Sequence, residues 1–176
     1  MAGLYIHIPF CRSKCPYCDF YSIASNTLVS RFVESLKREI TFYKSKFTSF
    51  DTLYLGGGTP SLLDTGIITG IIDSVKNTFE ITEGAEITIE VNPGDMTHEK
   101  ITGINNAGIN RVNLGVQSFN DSDLKFLGRR HSTADSEKAF MDLRAEGFNN
   151  IGIDLIYGLK NQSVDEWVKN LERAVD

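Results

Sequence analysis

The stretch "HIPFCRSKCPYCDFYS", residues 7–22, contains all three cysteines of this 176-residue chain. Cys11, Cys15 and Cys18 follow a short apolar run at residues 4–8, which predicts that they lie on the loop after a first strand. An odd number of cysteines this close together cannot form a disulfide framework, because such short loops strain the bridge and leave one thiol over. The spacing therefore indicates a reducing compartment and a metal site.

Outward from this loop, short β-rich runs alternate with longer segments of helical periodicity. Strands are predicted over residues 4–8, 52–55, 86–91, 111–116 and 150–156, mostly too apolar on both faces for a solvent-exposed sheet. Helices are predicted over residues 28–40, 67–79, 97–104 and 134–144. Ser163 and Glu166 form the capping box of a fifth helix, followed by Trp167, which we expect to be a packing residue.

This alternation predicts an α/β fold. Strand and helix in strict succession require right-handed crossovers and a parallel sheet, either open or curled into a barrel. Functional side chains should then lie at the carboxyl ends of the strands. Since no strand follows the last predicted helix, a curled sheet of about five strands would keep a raw edge. We therefore expect residues 1–176 to form one domain that is the front part of a longer chain.

The charge balance disfavours two classes of partner. The chain carries a net charge of -5 and has a pI near 5.2, which argues against broad attraction to nucleic acid or anionic lipid. No run approaches the roughly 18 apolar residues of a membrane-spanning helix, and the amino terminus lacks the pattern of a secretory signal. We expect a cytoplasmic protein with no nucleic-acid partner and no membrane span.

Two metal sites are compatible with the three cysteines. Three thiolates can hold three irons of a 4Fe-4S cluster and leave the fourth iron open to a ligand, which accounts for the count of cysteines. A tetrahedral zinc site is the alternative, and it would need a fourth ligand, for which His7 and Asp19 are the candidates.

The pattern C-x3-C-x2-C after a first strand resembles the signature of the radical S-adenosylmethionine (SAM) enzymes, whose fold is a partial (β/α)6 barrel of the TIM type. In that family SAM chelates the open iron of the cluster. The segments "LYLGGGTPSLL", "IEVNPGDMT", "RVNLGVQSFNDSDLKFLGRRHS" and "IGIDLIYGLKNQS" narrow the resemblance to the oxygen-independent coproporphyrinogen III oxidase group. The resemblance covers nearly the whole chain.

One position separates two branches of that group. The oxidases carry a fourth cysteine two residues after the third, where this chain has Phe20. The haem-chaperone branch, HemW, has Asp-Phe or similar there, and "CPYCDFYS" resembles that branch. The resemblance therefore favours a haem chaperone over an oxidase that decarboxylates the propionates of coproporphyrinogen III. A radical SAM enzyme that modifies tRNA is a third hypothesis, which the acidic balance disfavours.

The resemblance also implies the site residues. Cys11, Cys15 and Cys18 would bind the 4Fe-4S cluster, while no catalytic residue is assigned. SAM would be bound by Tyr5, Gly57, Gly58, Thr59, Glu90, Gln117, Arg129 and Asp154. Arg129, rather than Arg130, would pair with the SAM carboxylate through its planar fork of donors. The implied partners are haem or porphyrin as cargo, recipient haemoproteins and an electron donor. The oligomeric state is open, and a homodimer is one of the options.

Other roles for several of these residues are compatible with the sequence alone. The glycines at positions 56–58 could serve simply to form a tight turn. Glu90 could face solvent, and Arg129 could be a surface cation. Tyr5 and His7 would on general grounds be core residues. Tyr17 fits an aromatic shield at the cluster, and we expect His98 and His131 to be ordinary helix or loop residues.

Overall fold

The computed structural model describes residues 2–175 and contains a five-stranded parallel sheet with the strand order β1-β2-β3-β4-β5. The strands are β1 (Gly3–Ile8), β2 (Ser49–Gly57), β3 (Glu80–Val91), β4 (Arg111–Gln117) and β5 (Asn150–Leu155). The helices are α1 (Val29–Phe42), α2 (Thr65–Lys76), α3 (His98–Asn106), α4 (Asp121–Phe126), α5 (Thr133–Ala145) and α6 (Val164–Val175). The predicted parallel α/β arrangement is confirmed.

The two faces of the sheet differ in polarity because side chains alternate along each strand. One face is apolar and buried with the helices, and its side chains include Leu53, Leu55, Ile87, Ile89, Val112 and Leu114. The intervening positions include Tyr54, Glu90 and Asn113, which pair with polar groups. The strands were predicted to be mostly too apolar on both faces for a solvent-exposed sheet, and this apolar character is confined to the first face. The second face holds the candidate site described below.

The helices lie close to their predicted positions, with one addition. Ile68, Ile71, Ile72 and Val75 of α2 are fully buried, as their spacing predicts. The short helix α4 was not predicted, because it has six residues and only Leu124 is buried. Asn120 caps this helix by accepting a hydrogen bond from the Ser122 amide. A short polar helix has no apolar period to reveal it, so only the cap marked it in the sequence.

Helix α6 packs through a polar side chain. Its predicted capping box is present, since Ser163 and Glu166 exchange hydrogen bonds. Asn170 is the buried residue of α6, and its side-chain oxygen accepts hydrogen bonds from the Phe119 amide and the Ser118 hydroxyl. Trp167 packs against the ring of Tyr157, with the ring centres 5.8 Å apart. The hydrogen bonds of Asn170 thus link α6 to the residues that directly follow β4. Among residues 2–175, no helix has the length and apolarity that crossing a bilayer requires.

His131 lies in the loop before α5, as expected, but unlike an ordinary loop residue it is buried. Its Nε2 lies 3.0 Å from the Val116 carbonyl oxygen, and burial lowers its pKa from 6.5 to about 4. The ring is thus neutral at pH 7, with the proton on Nε2 donated to the carbonyl.

The buried ring predicts a loss of stability in acid. Because the folded state has the lower pKa, the unfolded chain takes up the proton first, and stability falls as the pH drops from 6.5 towards 4. Between pH 7 and pH 5 we expect this group to remove about 1–2 kcal/mol from the free energy of unfolding. Urea unfolding at both pH values measures it. His131→Gln should show a smaller pH dependence than the wild type, and an equal dependence would contradict the assignment.

Candidate functional site

All three cysteines line one cavity at the carboxyl edge of the sheet. Gly58 and Thr59 after β2, Asn92 after β3 and residues 128–130 after α4 line the same cavity. The Thr59 hydroxyl lies 3.6 Å from Cys11 Sγ, and Arg129 Nη1 lies 3.9 Å from Cys15 Sγ. The structure thus brings the cysteines together with three of the predicted SAM residues, Gly58, Thr59 and Arg129.

The cysteine loop is fastened to the end of β2 by backbone hydrogen bonds. The Gly58 amide donates to the Ile8 carbonyl and the Thr59 amide to the Phe10 carbonyl, both at 2.8 Å. A Cβ atom at Gly58 would lie 2.7 Å from the Phe10 carbonyl oxygen. Gly57 has a φ of 115°, which side chains rarely adopt. The glycines therefore do more than form a turn: Gly58 allows two backbone segments to meet.

The cavity wall is strongly cationic. Its lining residues include Arg12, Lys14, Arg129 and Arg130, and they include no Asp, Glu or His. Positive charge around the cysteines would attract an anionic ligand to the cavity. It would also offset the negative charge of thiolates and sulfides in an iron–sulfur cluster. The donor set and its surroundings therefore fit a 4Fe-4S cluster.

The zinc alternative finds less support in the geometry. His7 Nε2 lies 3.0 Å from the Tyr21 carbonyl oxygen, and its Nδ1 lies 3.2 Å from the Tyr5 hydroxyl. Neither His7 nor Asp19 is among the residues that line the cysteine cavity. Within residues 2–175, no three Cys, His, Asp or Glu side chains are grouped as ligands of one ion. A single zinc ion needs such a group, whereas an iron–sulfur cube takes each thiolate on a different iron.

A second polar group forms around Glu90 near the end of β3. Its Oε1 accepts a hydrogen bond from the Tyr54 hydroxyl at 2.9 Å, and its Oε2 accepts one from the Gly57 amide at 3.0 Å. Burial raises the pKa of Glu90, and the negative charge of Asp154 raises it further. Glu90 is thus a partly buried carboxylate with defined donors, and the alternative of a solvent-facing side chain is wrong.

Tyr5 and Asp154 flank this carboxylate. The Tyr5 ring stacks on the ring of Tyr54 at 5.8 Å, yet Tyr5 is 54% exposed, so its expected place in the core is wrong. His7 was also expected in the core, and this expectation is wrong because its side chain is only partly buried. Asp154 Oδ2 accepts a hydrogen bond from the side-chain Nδ2 of Asn113 at 2.7 Å.

Two residues of this group, Tyr54 and Asn113, were missed in the sequence. Each interrupts an apolar strand, between Leu53 and Leu55 or between Val112 and Leu114. That alternation was the signal that could have identified them, because a polar side chain on a half-buried sheet needs a partner.

Arg129 lies between the cysteine loop and strand β4. Its Nη1 donates to the Tyr17 hydroxyl at 3.3 Å and its Nη2 to the Gly115 carbonyl at 3.0 Å. A Cβ atom on Gly115 would lie 3.0 Å from the Gln117 side-chain nitrogen and 3.5 Å from Arg129 Nη2. Both side chains therefore lie over Gly115. Among the described residues Arg129 Nε is buried without a hydrogen-bond partner, so this donor is unpaired.

Comparisons with known proteins identify the family of this chain. The sequence model of the radical SAM superfamily matches residues 5–174. The heme chaperone HemW of Haemophilus influenzae is 35% identical over 182 residues, which cover 99% of this chain and 48% of the relative. HemW of Synechocystis is 38% identical over 178 residues, which cover 97% of this chain and 43% of the relative. The chain thus spans a little less than half the length of these relatives.

Two solved structures extend the comparison. Coproporphyrinogen III oxidase (HemN) from Escherichia coli matches with a TM-score of 0.88 at 30% identity, covering 97% of this chain and 40% of that one. The archaeal Elp3 of Methanocaldococcus infernus, at 19% identity and a TM-score of 0.64, shares the fold, with 97% of this chain and 42% of that chain covered. With the family match over most of its length and a thiol-lined cavity at the edge of a parallel sheet, this chain belongs to the radical SAM superfamily.

Proposed function

We propose that this chain is the SAM-binding core of a haem chaperone, which binds haem and delivers it to haemoproteins. One observation carries the proposal: the cationic, thiol-lined cavity includes Gly58, next to the Gly57 amide that donates to Glu90, in a chain similar to heme chaperones over 97–99% of its length. A cytoplasmic location and an electron donor belong to the same proposal, since the thiols must stay reduced.

The residues of the proposed cofactor site would have different roles. Cys11, Cys15 and Cys18 would hold the 4Fe-4S cluster, which in this family supplies the electron that cleaves the sulfonium of SAM. Arg129 would turn its unpaired Nε towards the SAM carboxylate, as a charge-assisted donor. Tyr17, which contacts Arg129, would limit the access of water to the cluster.

The remaining SAM contacts would come from the strand ends. Glu90, fixed by Tyr54 and Gly57, presents a negative charge to a cofactor that carries a sulfonium and an ammonium group. The other proposed contacts, at positions named from the family resemblance, are Tyr5, Gly57, Gly58, Thr59, Gln117 and Asp154.

The charge of Glu90 can be tested separately from its hydrogen bonds. Glu90→Gln keeps an acceptor for the Gly57 amide but removes the negative charge, so we expect SAM to bind roughly tenfold more weakly. Equilibrium dialysis with the reconstituted protein measures this dissociation constant. Tyr54→Phe is the matched control, because it removes one hydrogen bond and keeps the charge, and its effect should be smaller. Unchanged SAM affinity in Glu90→Gln would exclude Glu90 from the site.

The oxidase remains the second candidate, because HemN is a close structural match. Phe20 favours the chaperone: this position would hold a fourth cysteine in the oxidases, and here it carries a side chain that is 69% exposed. We expect the purified protein to bind haem with a shift of the Soret band. We also expect no decarboxylation of coproporphyrinogen III under anaerobic conditions with SAM and a reductant. Steady product formation would overturn the chaperone in favour of the oxidase.

A further inference from the structure

A buried carboxylate joins two arginines beside the cysteine cavity. Asp95 lies in the short turn after β3, and its side chain is 2% exposed. Its Oδ1 lies 3.4 Å from Arg12 Nη2, and its Oδ2 lies 3.5 Å from Arg130 Nη2. Asp95 therefore forms ion pairs with two arginines, one from the cysteine loop and one from the loop after α4, and among the described residues its buried Oδ1 has no hydrogen-bond partner.

Both arginines remain accessible while Asp95 holds them. The side chain of Arg12 is 57% exposed and that of Arg130 is 35% exposed, and both residues line the cysteine cavity. Each meets Asp95 through a single nitrogen, whereas a guanidinium carries five N–H donors in a rigid plane. Two cations facing one carboxylate also leave one unit of positive charge in excess.

We propose that Arg12 and Arg130, positioned as a pair by Asp95, bind a propionate carboxylate of haem at the mouth of the cysteine cavity. The proposal rests on the haem-handling function proposed above. Guanidinium groups bind carboxylates through parallel N–H donors, so a fixed pair recognises such a group better than mobile cations do. The pair is distinct from Arg129, which contacts Cys15 and Tyr17.

Charge complementarity supports an anionic partner at this place. The chain carries a net charge of -5, yet the residues that line this cavity include four cations and no carboxylate. A dianionic porphyrin approaching such a protein would be attracted most strongly where cations are concentrated. The family cofactors would engage the thiols and Arg129, which leaves Arg12 and Arg130 for the cargo.

The test compares haem with haem dimethyl ester, whose carboxylates are blocked, by Soret titration of the reconstituted protein. We expect Arg12→Gln and Arg130→Gln each to weaken haem binding about tenfold and to leave binding of the ester unchanged. Arg38→Gln on α1, where the side chain contacts Ser35, is the control for net charge and should change neither affinity.

Asp95→Asn separates a positioned pair from a general positive field. The substitution makes the site more positive, so a general field would tighten haem binding, whereas loss of the anchor should weaken it. Because Arg12 is exposed, Arg12→Gln gives a decisive result even if Asp95→Asn fails to fold. Equal changes for haem and ester, or tighter binding by Asp95→Asn, would overturn the inference while haem handling stands. If the wild type binds neither compound, the proposed function itself fails.

Discussion

Cys15→Ala is expected to abolish the cluster. Reconstitution of the wild type with iron and sulfide should give about four irons per chain and a broad visible absorption, whereas the variant should retain little of either. Two thiolates cannot hold the cube firmly, and Cys15 is also the thiol that Arg129 approaches. Iron analysis and visible absorption under anaerobic conditions measure the difference.

The control for Cys15→Ala comes from the same loop. Ser13 lines the same cavity but has no thiol, so Ser13→Ala should load iron as the wild type does. EPR of the reduced wild-type protein before and after addition of SAM should show a changed signal, because SAM would bind the open iron. One tightly bound zinc per chain, with no iron spectrum, would contradict the cluster and with it the proposed cofactor chemistry.

Gly58→Ala is expected to displace the cysteine loop. The added Cβ would lie 2.7 Å from the Phe10 carbonyl oxygen and 3.0 Å from that of Ile8, and both are backbone atoms that cannot turn aside. Such overpacking typically costs about 1–3 kcal/mol, which lowers the melting temperature of a domain of this size by several degrees. Because the displaced segment carries Cys11, iron should also be lost faster to a chelator.

Gly66→Ala provides the matched control. Gly66 lies in α2, and a Cβ there would meet no atom within 4 Å. Alanine in a helix is favoured over glycine by about 0.5–1 kcal/mol, so this variant should be as stable as the wild type or slightly more stable. Equal melting temperatures and chelation rates for the two variants would show that the close approach at Gly58 does not matter.

The fold could be predicted from the sequence because its signals are local. The apolar spacing of Ile68, Ile71 and Ile72 identifies α2, and the alternation of strands and helices gives the parallel order. The polarity of the second face was missed in part, because a single polar residue such as Asn113 lies between two apolar neighbours and does not change the apolar character of its strand. Which of two strand faces packs against helices depends on the closure of the whole sheet, and no short window of sequence contains that information.

The site could be predicted only in part, for a related physical reason. The cysteines and Glu90 stand out by their chemistry, since such groups need partners near an apolar sheet. Tyr54 and Asp95 do not stand out in the sequence, because their importance lies in contacts with residues 35 or more positions away. The burial of His131 was missed for the same cause, as it depends on how residues 128–131 fold back onto the end of β4.

The separation between Cys15 and Arg129 has a consequence for biosynthesis. The two residues are 114 positions apart, and a ribosome adding 5–20 residues per second needs roughly 6 to 23 s to cover that distance. The thiols thus emerge well before the cations of the opposite loop have been made. During this interval the unligated cysteine thiols of the nascent chain are exposed to oxygen and to other metal ions. The yield of intact holoprotein should therefore depend on the oxygen tension during translation.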